Sequence, residues 1–162
     1  MSDTLIIYYS LEGNVDFIAR NLAEKLNGDL CRLETVKNYP KSGLLKFFHG
    51  GKDVVSGAKP ELKTEIPDCS SYSKVIVGGP VWASKPAASL NTLFEKINLF
   101  GKNFYAFASS AGGNADKCLK LMCEAAEKQG ASVIACESFV NPLKKPEAAL
   151  EKVNLFVQKI SN

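Results

Sequence analysis

Several residue types and patterns are scarce in this chain of 162 residues. Only two of its 20 lysine and arginine residues are arginines, Arg20 and Arg32, and the net charge is only +3. Proteins that bind nucleic acid usually rely on arginine and a clustered basic face, so we expect no nucleic-acid binding. No apolar run approaches the roughly 20 residues that cross a bilayer, so no membrane span is expected. The first four residues do not resemble a secretory signal, which predicts a cytoplasmic protein.

The cysteines and the single histidine also indicate little side-chain chemistry. The five cysteines do not have the paired short spacings of zinc ribbons or redox motifs, so we expect reduced thiols and no metal site. The only histidine, His49, lies in an irregular stretch, where we expect a surface position rather than a catalytic role. The cysteines are Cys31, Cys69, Cys118, Cys123 and Cys136.

Hydrophobic periodicity predicts strands that alternate with helices along most of the chain. Strands are predicted at 5–9, 29–36, 74–78, 103–108 and 132–139, and helices at 14–26, 86–97, 115–128 and 146–160. This alternation favours an α/β fold with a parallel sheet and helices on both faces. The length suits one hydrophobic core, so we expect a single domain over residues 1–162.

Residues 38–73 interrupt the alternation with four glycines and three prolines. A connection this long inside a compact domain is more often functional than a plain link. Within it, residues 44–48 are a candidate short helix and residues 52–56 a further turn. Phe47, Phe48 and His49 are candidates for a lid over a ligand, in this subunit or in a partner subunit.

The loop after the first predicted strand carries groups that favour an anion. Ser10, Glu12, Gly13 and Asn14 lie between a buried strand and the start of a helix. The unpaired N–H groups of a helix start and the positive end of its dipole attract negative charge. Gly13 lets the backbone approach a phosphate closely. We therefore predict a phosphate-binding loop here.

Two further loops follow the third and fourth predicted strands. Residues 79–86 include the only tryptophan, Trp82, and residues 109–114 have the sequence Ser-Ser-Ala-Gly-Gly-Asn. In an open doubly wound sheet, ligands bind outside the carboxyl ends of the strands, at the point where strand order reverses. A phosphate loop beside two loops that can line a flat ring indicates a nucleotide or flavin site.

These three motifs together resemble the flavodoxin-like FMN proteins, in particular small members related to FMN-dependent quinone reductases. The resemblance covers nearly the whole chain and implies a doubly wound, five-stranded parallel sheet of order 2-1-3-4-5. It implies that FMN places its phosphate on the first loop, its isoalloxazine ring on the second and its pyrimidine edge on the third. Val15 stands where the family usually has threonine. The implied cofactor-binding residues are Ser10, Glu12, Gly13, Asn14, Val15, Pro80, Val81, Trp82, Ala83, Ser109, Ser110, Gly112, Gly113 and Asn114.

The resemblance also implies that the FMN N5 atom carries the chemistry, without a catalytic side chain or a metal. The favoured function is an oxidoreductase that passes electrons from NAD(P)H to a quinone or another small acceptor. Residues 81–84 contain no glycine and the chain is weakly basic, whereas electron-shuttling flavodoxins are acidic. Two alternatives stay open: a one-electron shuttle between redox partner proteins, and a non-flavin module such as a signalling receiver or phosphatase. A homodimer would suit a site covered by a second subunit.

Overall fold

The computed structural model describes residues 2–40 and 51–162. The candidate helix at 44–48 and the proposed lid residues Phe47, Phe48 and His49 lie outside the described residues. Residues 51–55 are helical, close to the turn predicted at 52–56. The other elements, in chain order, are β1 (Thr4–Tyr8), α1 (Asn14–Leu26), β2 (Asp29–Arg32), β3 (Lys74–Trp82), β4 (Lys85–Pro86), α2 (Ala88–Lys96), β5 (Asn103–Ser110), α3 (Asp116–Lys128), β6 (Ser132–Val140) and α4 (Pro146–Ser161).

Five of the strands form a parallel sheet in the order β2-β1-β3-β5-β6. This confirms the predicted order 2-1-3-4-5, because β4 is a two-residue strand that pairs only with the end of β3. In that antiparallel pair Trp82 lies opposite Lys85 and Val81 opposite Pro86. The second helix therefore begins at Ala88, whereas the sequence predicted a start at residue 86.

The two faces of the sheet bury separate apolar clusters. On β1, Ile6 and Tyr8 pack with α1 and α4, whereas Leu5 and Ile7 face the cluster that includes α2 and α3. Because helices cover both faces of the sheet, all five residues of β1 are buried. The predicted helices on both faces of a parallel sheet are confirmed.

All five strands of the parallel sheet end at positions other than those predicted, and β2 and β3 deviate most. β2 ends at Arg32 instead of residue 36, because the chain turns away and pairs with the long insertion: Thr35 bridges Leu62, and the Lys63 N–H donates to the Glu34 carbonyl at 2.7 Å. β3 continues to Trp82 because β5 accompanies it, with Pro80 paired to Ser109. The longer β3 carries its last residues past the end of β1.

The glycine pair in β3 serves close packing. A Cβ on Gly78 would overlap the Phe107 ring, and one on Gly79 would lie 2.6 Å from Leu90 Cδ1. These glycines therefore let a bulky side chain approach the strand from each face. No helix within residues 2–40 and 51–162 is long and apolar enough to cross a membrane.

Candidate functional site

A cleft of about 380 Å³ lies at the carboxyl ends of β1, β3 and β5. Its walls come from residues 10–12, 14–15, 80–83 and 109–111, together with Gly51 and Asn141. Clefts of this volume are of the size that holds small cofactors. The three loops predicted from the sequence therefore meet at one edge of the sheet.

Most of the predicted site residues line this cleft, and four do not. Gly13, Gly112, Gly113 and Asn114 are absent from its lining. The lining also includes residues that were not predicted, namely Leu11, Gly51, Ala111 and Asn141. Asn141 directly follows β6, so the rule that points to carboxyl ends of strands could have found it. The predicted residues that line the cleft are Ser10, Glu12, Asn14, Val15, Pro80, Val81, Trp82, Ala83, Ser109 and Ser110.

The first loop forms a helix start whose N-cap residue has no capping side chain. Gly13 is the N-cap of α1, with φ of 97°, a left-handed conformation that favours glycine, and it provides no side-chain cap. The Ser10 hydroxyl oxygen accepts the Asp16 N–H at 3.1 Å, and Ser10 is only 5% exposed. The Ser10 hydroxyl hydrogen and the N–H groups of the first helical residues are thus hydrogen-bond donors at this part of the cleft, the kind of groups that attract an anion.

The side chains of Asn14 and Val15 serve structural contacts. Asn14 Oδ1 accepts the Leu143 N–H at 3.2 Å, which ties α1 to the connection between β6 and α4. In the same connection, the Asn141 side-chain amide donates to the Ala111 carbonyl at 3.2 Å. Val15 is 1% exposed and packs in the apolar cluster beneath α1. The group that Val15 offers to a ligand is therefore its backbone N–H. This donor is present whether the side chain is valine or threonine.

Trp82 forms an aromatic wall of the cleft. Its ring lies 5.7 Å from Tyr9 and 5.1 Å from Tyr39, centroid to centroid, both in edge-to-face arrangements. The Tyr39 hydroxyl donates to Asp53 Oδ2 at 2.6 Å, so residues of the long insertion hold the wall in place. Burial raises the pKa of Tyr9 to about 12, so this phenol is neutral at physiological pH.

The turn after Trp82 contains two residues in left-handed backbone conformations. Ala83 has φ of 48° and Ser84 has φ of 65°, between the paired residues Trp82 and Lys85. Two positive φ angles in a two-residue hairpin loop are typical of a type I′ turn, which usually has Asn-Gly. The β4 pairing thus holds Ala83 against the cleft in a conformation that its side chain disfavours.

The third loop is shaped by its own polar side chains. Ser110 Oγ accepts the Gly113 N–H at 3.1 Å, and Gly113 has φ of 87°. Asn114 Oδ1 accepts the Asp116 N–H at 3.2 Å, at the start of α3. Gly113 and Asn114 therefore shape the loop, while Ser109, Ser110 and Ala111 form its cleft-facing part.

The cysteines contribute no reactive thiol to the cleft. All five are free, and none lines it. Burial raises the pKa of Cys118 to about 12 and that of Cys69 to about 11, which keeps both thiols protonated. Across the described ranges, no cluster of three or more His, Cys, Asp or Glu residues could hold a metal ion. The cleft instead suits a ligand with an anion at one end and a flat, largely apolar ring at the other.

Known proteins share both the sequence pattern and the fold. A sequence profile of the flavodoxin family matches residues 3–133. NAD(P)H dehydrogenase (quinone) from Caulobacter vibrioides is 26% identical over 118 residues, which cover 68% of this chain and 58% of that protein. A Bacteroides uniformis protein assigned as a flavoprotein has TM-score 0.80 at 18% identity, covering 97% of this chain and 98% of the other. A Lactobacillus acidophilus flavoprotein solved in complex with FMN has TM-score 0.73 at 23% identity, covering 90% and 98%.

Proposed function

Because this chain belongs to the flavodoxin family, we propose that its cleft binds FMN and that the protein is an oxidoreductase. The substrates we propose are NAD(P)H as electron donor and a quinone or another small molecule as acceptor. The observation that carries the proposal is that one cleft is lined both by the start of α1, whose N-cap residue has no capping side chain, and by the Trp82 wall. That pairing matches a phosphate joined to a flat aromatic ring.

Each part of the cleft has a distinct role in this proposal. The Ser10 hydroxyl and the N–H groups at the start of α1 bind the phosphate. Pro80, Val81 and Trp82 pack against the ring, since they form an apolar and aromatic surface. Residues 109–111 offer hydroxyl and backbone groups to the pyrimidine edge. These residues bind and orient the cofactor.

Bound FMN supplies hydride and electron transfer, which amino-acid side chains cannot perform. The chain excludes water from one side of the ring with Trp82, which Tyr9 and Tyr39 support by packing against it. Among the cleft residues that the structure describes, Glu12 is the only ionisable one. A hydride carries two electrons and a proton together, so a hydride transfer to the cofactor would need no side-chain acid or base from the cleft.

The choice of donor and acceptor draws on the Caulobacter relative, whose name is NAD(P)H dehydrogenase (quinone). The chain spans 58% of the length of that protein, so the donor and acceptor are part of the proposal. A one-electron shuttle is the alternative. It is disfavoured by the Ala83–Ser84 turn, since a glycine there would ease a peptide reorientation during single-electron steps.

The test is an anaerobic reduction of the FMN-loaded protein after desalting, with free FMN at equal concentration as control. We expect NADH or NADPH to bleach the visible flavin bands of the protein faster than those of free FMN, and a quinone to restore them. Retained flavin that ignores both nucleotides but is reduced stepwise by a chemical reductant would favour the shuttle. Loss of all flavin on desalting, with no quenching of Trp82 emission on titration, would contradict FMN binding.

A further inference from the structure

Both arginines of the chain converge on one carboxylate at the start of α1. Arg20 Nε donates to Asp16 Oδ2 at 2.7 Å, and Arg32 Nη1 lies 3.4 Å from Asp16 Oδ1. The Tyr8 hydroxyl donates to the same Oδ1 atom at 2.6 Å. The other 18 of the 20 lysine and arginine residues are lysines. Arginine, whose planar guanidinium can donate to two acceptors at once, thus occurs only at the two positions that contact Asp16.

Arg32 also contacts the backbone of the phosphate loop, which Arg20 does not. Its Nη2 atom donates to the Ser10 carbonyl at 3.2 Å. Arg32 is the last residue of β2 and lies beside Tyr8 in the parallel register, so the strand pair places it next to the loop. Neither Arg32 nor Asp16 lines the cleft. The guanidinium therefore acts on the loop from outside the ligand space.

The contacts among three residues form a closed ring. Arg32 donates to the Ser10 carbonyl and to the Asp16 carboxylate, while the Asp16 N–H donates to the Ser10 hydroxyl oxygen at 3.1 Å. Ser10 and Asp16 bracket residues 11–15, which cross from β1 to the helix start. The ring therefore fixes both ends of the loop that offers its N–H groups to an anion.

This ring of hydrogen bonds also separates the carbonyl acceptor of Ser10 from its hydroxyl donor. A carbonyl oxygen that pointed at a phosphate would repel it, and the Ser10 carbonyl instead accepts a hydrogen bond from Arg32, a residue that does not line the cleft. The Ser10 hydroxyl, which can donate, stays at the helix start. Asp16 would repel a phosphate as well, and the two guanidinium groups offset its charge.

We propose that Arg32 is a positioning residue for the cofactor phosphate, which holds the phosphate loop in its binding shape without contacting the ligand. This inference rests on the proposed binding of FMN. It assigns Arg32 a function that is specific to the phosphate. Removal of the Arg32 guanidinium should therefore not change how tightly the cleft binds the isoalloxazine ring.

The test compares FMN with riboflavin, which has the same ring and no phosphate. Arg32→Met should weaken FMN binding about tenfold or more, as expected for charge-assisted hydrogen bonds, and leave riboflavin binding unchanged within twofold. Arg20→Met is the matched control, because it removes the same charge from Asp16 without touching the loop backbone; its FMN affinity should stay within about threefold of wild type. Arg32 is 45% exposed, so we expect the variant to fold, and thermal unfolding of the apo form checks this.

Three results would overturn the inference. Unchanged FMN affinity in Arg32→Met would show that the loop keeps its shape unaided. Equal losses for FMN and riboflavin would show general damage, and an equal loss in Arg20→Met would show a pure charge effect. Should Arg32→Met fail to fold, Arg32→Lys replaces it, since lysine keeps the charge but not the two-pronged geometry; at least a threefold loss for FMN alone is then expected. Failure of the wild-type protein to bind FMN would instead contradict the proposed function.

Discussion

Gly13 is the residue at which a single substitution should separate ligand binding from folding most clearly. It adopts φ of 97° at the start of α1, and a Cβ there would meet only Leu143 Cδ1, at 3.5 Å. The site therefore has room for a side chain, and the penalty of Gly13→Val comes from the backbone. Left-handed strain at a non-glycine residue costs about 1–3 kcal/mol, and a β-branched residue lies toward the upper end.

The variant can respond to this strain in two ways, and both are measurable. If the loop keeps its shape, the free energy of unfolding of the apo protein falls by about 2 kcal/mol. If the loop relaxes, the N–H groups at the helix start turn away from the phosphate. FMN affinity should then fall about 10- to 100-fold, as expected when hydrogen bonds to a charged group are lost. Riboflavin affinity should change little.

Gly101→Val is the matched control for backbone strain. Gly101 has φ of 72°, no neighbour within 4 Å of an added Cβ, and lies just before β5, at the sheet edge opposite the cleft. It should lose comparable stability in urea unfolding and keep its FMN affinity. The reasoning is refuted if Gly13→Val keeps both its FMN affinity and its apo stability, or if Gly101→Val loses FMN affinity to the same extent as Gly13→Val.

Three further predictions concern packing, pH and the departure from the family motif. Gly78→Ala should lower the free energy of unfolding by about 1–3 kcal/mol in urea titrations, because the new Cβ would overlap the Phe107 ring; a neutral result would mean that β3 can shift. Burial raises the pKa of Asp16, but hydrogen bonds from Arg20 and Tyr8 outweigh it and lower the pKa below its ordinary value of 3.8. The ionised carboxylate therefore stabilises the fold above that value, and this contribution is lost as the pH falls through the lowered pKa. The destabilisation caused by Asp16→Asn, roughly 1–2 kcal/mol at pH 7, should shrink below pH 4, and a pH-independent difference would contradict this. Val15→Thr should bind FMN as well as wild type or better, with apo stability reduced by roughly 1 kcal/mol for the buried hydroxyl; a clear loss of FMN affinity would show that the loop departs from the family geometry.

The regular parts of the fold were predictable because burial on both faces of a parallel sheet leaves strong sequence signals. The α1 bounds, residues 14–26, agree with the prediction, since an apolar stripe follows Gly13 and Asn27 ends the helix in a left-handed conformation. The strand order followed from resemblance to a family. Neither composition nor periodicity alone distinguishes it from other doubly wound orders.

The deviations arise where tertiary contacts decide local structure. The β4 pairing depends on two non-glycine residues, Ala83 and Ser84, in a turn that sequence rules reserve for Asn-Gly. β2 is short because residues 34–36 bond to residues 61–63, a contact that no local pattern signals. The packing of Tyr39, a residue of the insertion, on Trp82 is likewise a tertiary contact that no local pattern signals.

The candidate site was predictable in outline and less so in its details. The rule that ligands bind at carboxyl ends of strands located three loops that do line one cleft. It did not show that the Asn114 side chain would accept the Asp116 N–H at the start of α3, or that Asn141 would line the cleft from the end of β6. Arg20 and Asp16 are four residues apart on α1, but the contact of Arg32 with Asp16 depends on the pairing of β2 with β1, so the convergence of both arginines became visible only in the fold.

A crystal structure of the protein with bound FMN would test the proposed cofactor site most directly. We expect the phosphate within hydrogen-bond distance of the Ser10 hydroxyl and of the N–H groups at the start of α1. We also expect the isoalloxazine ring against Trp82, with Arg32 on the Ser10 carbonyl and away from the ligand. A phosphate bound elsewhere, or a ring that does not contact Trp82, would contradict it.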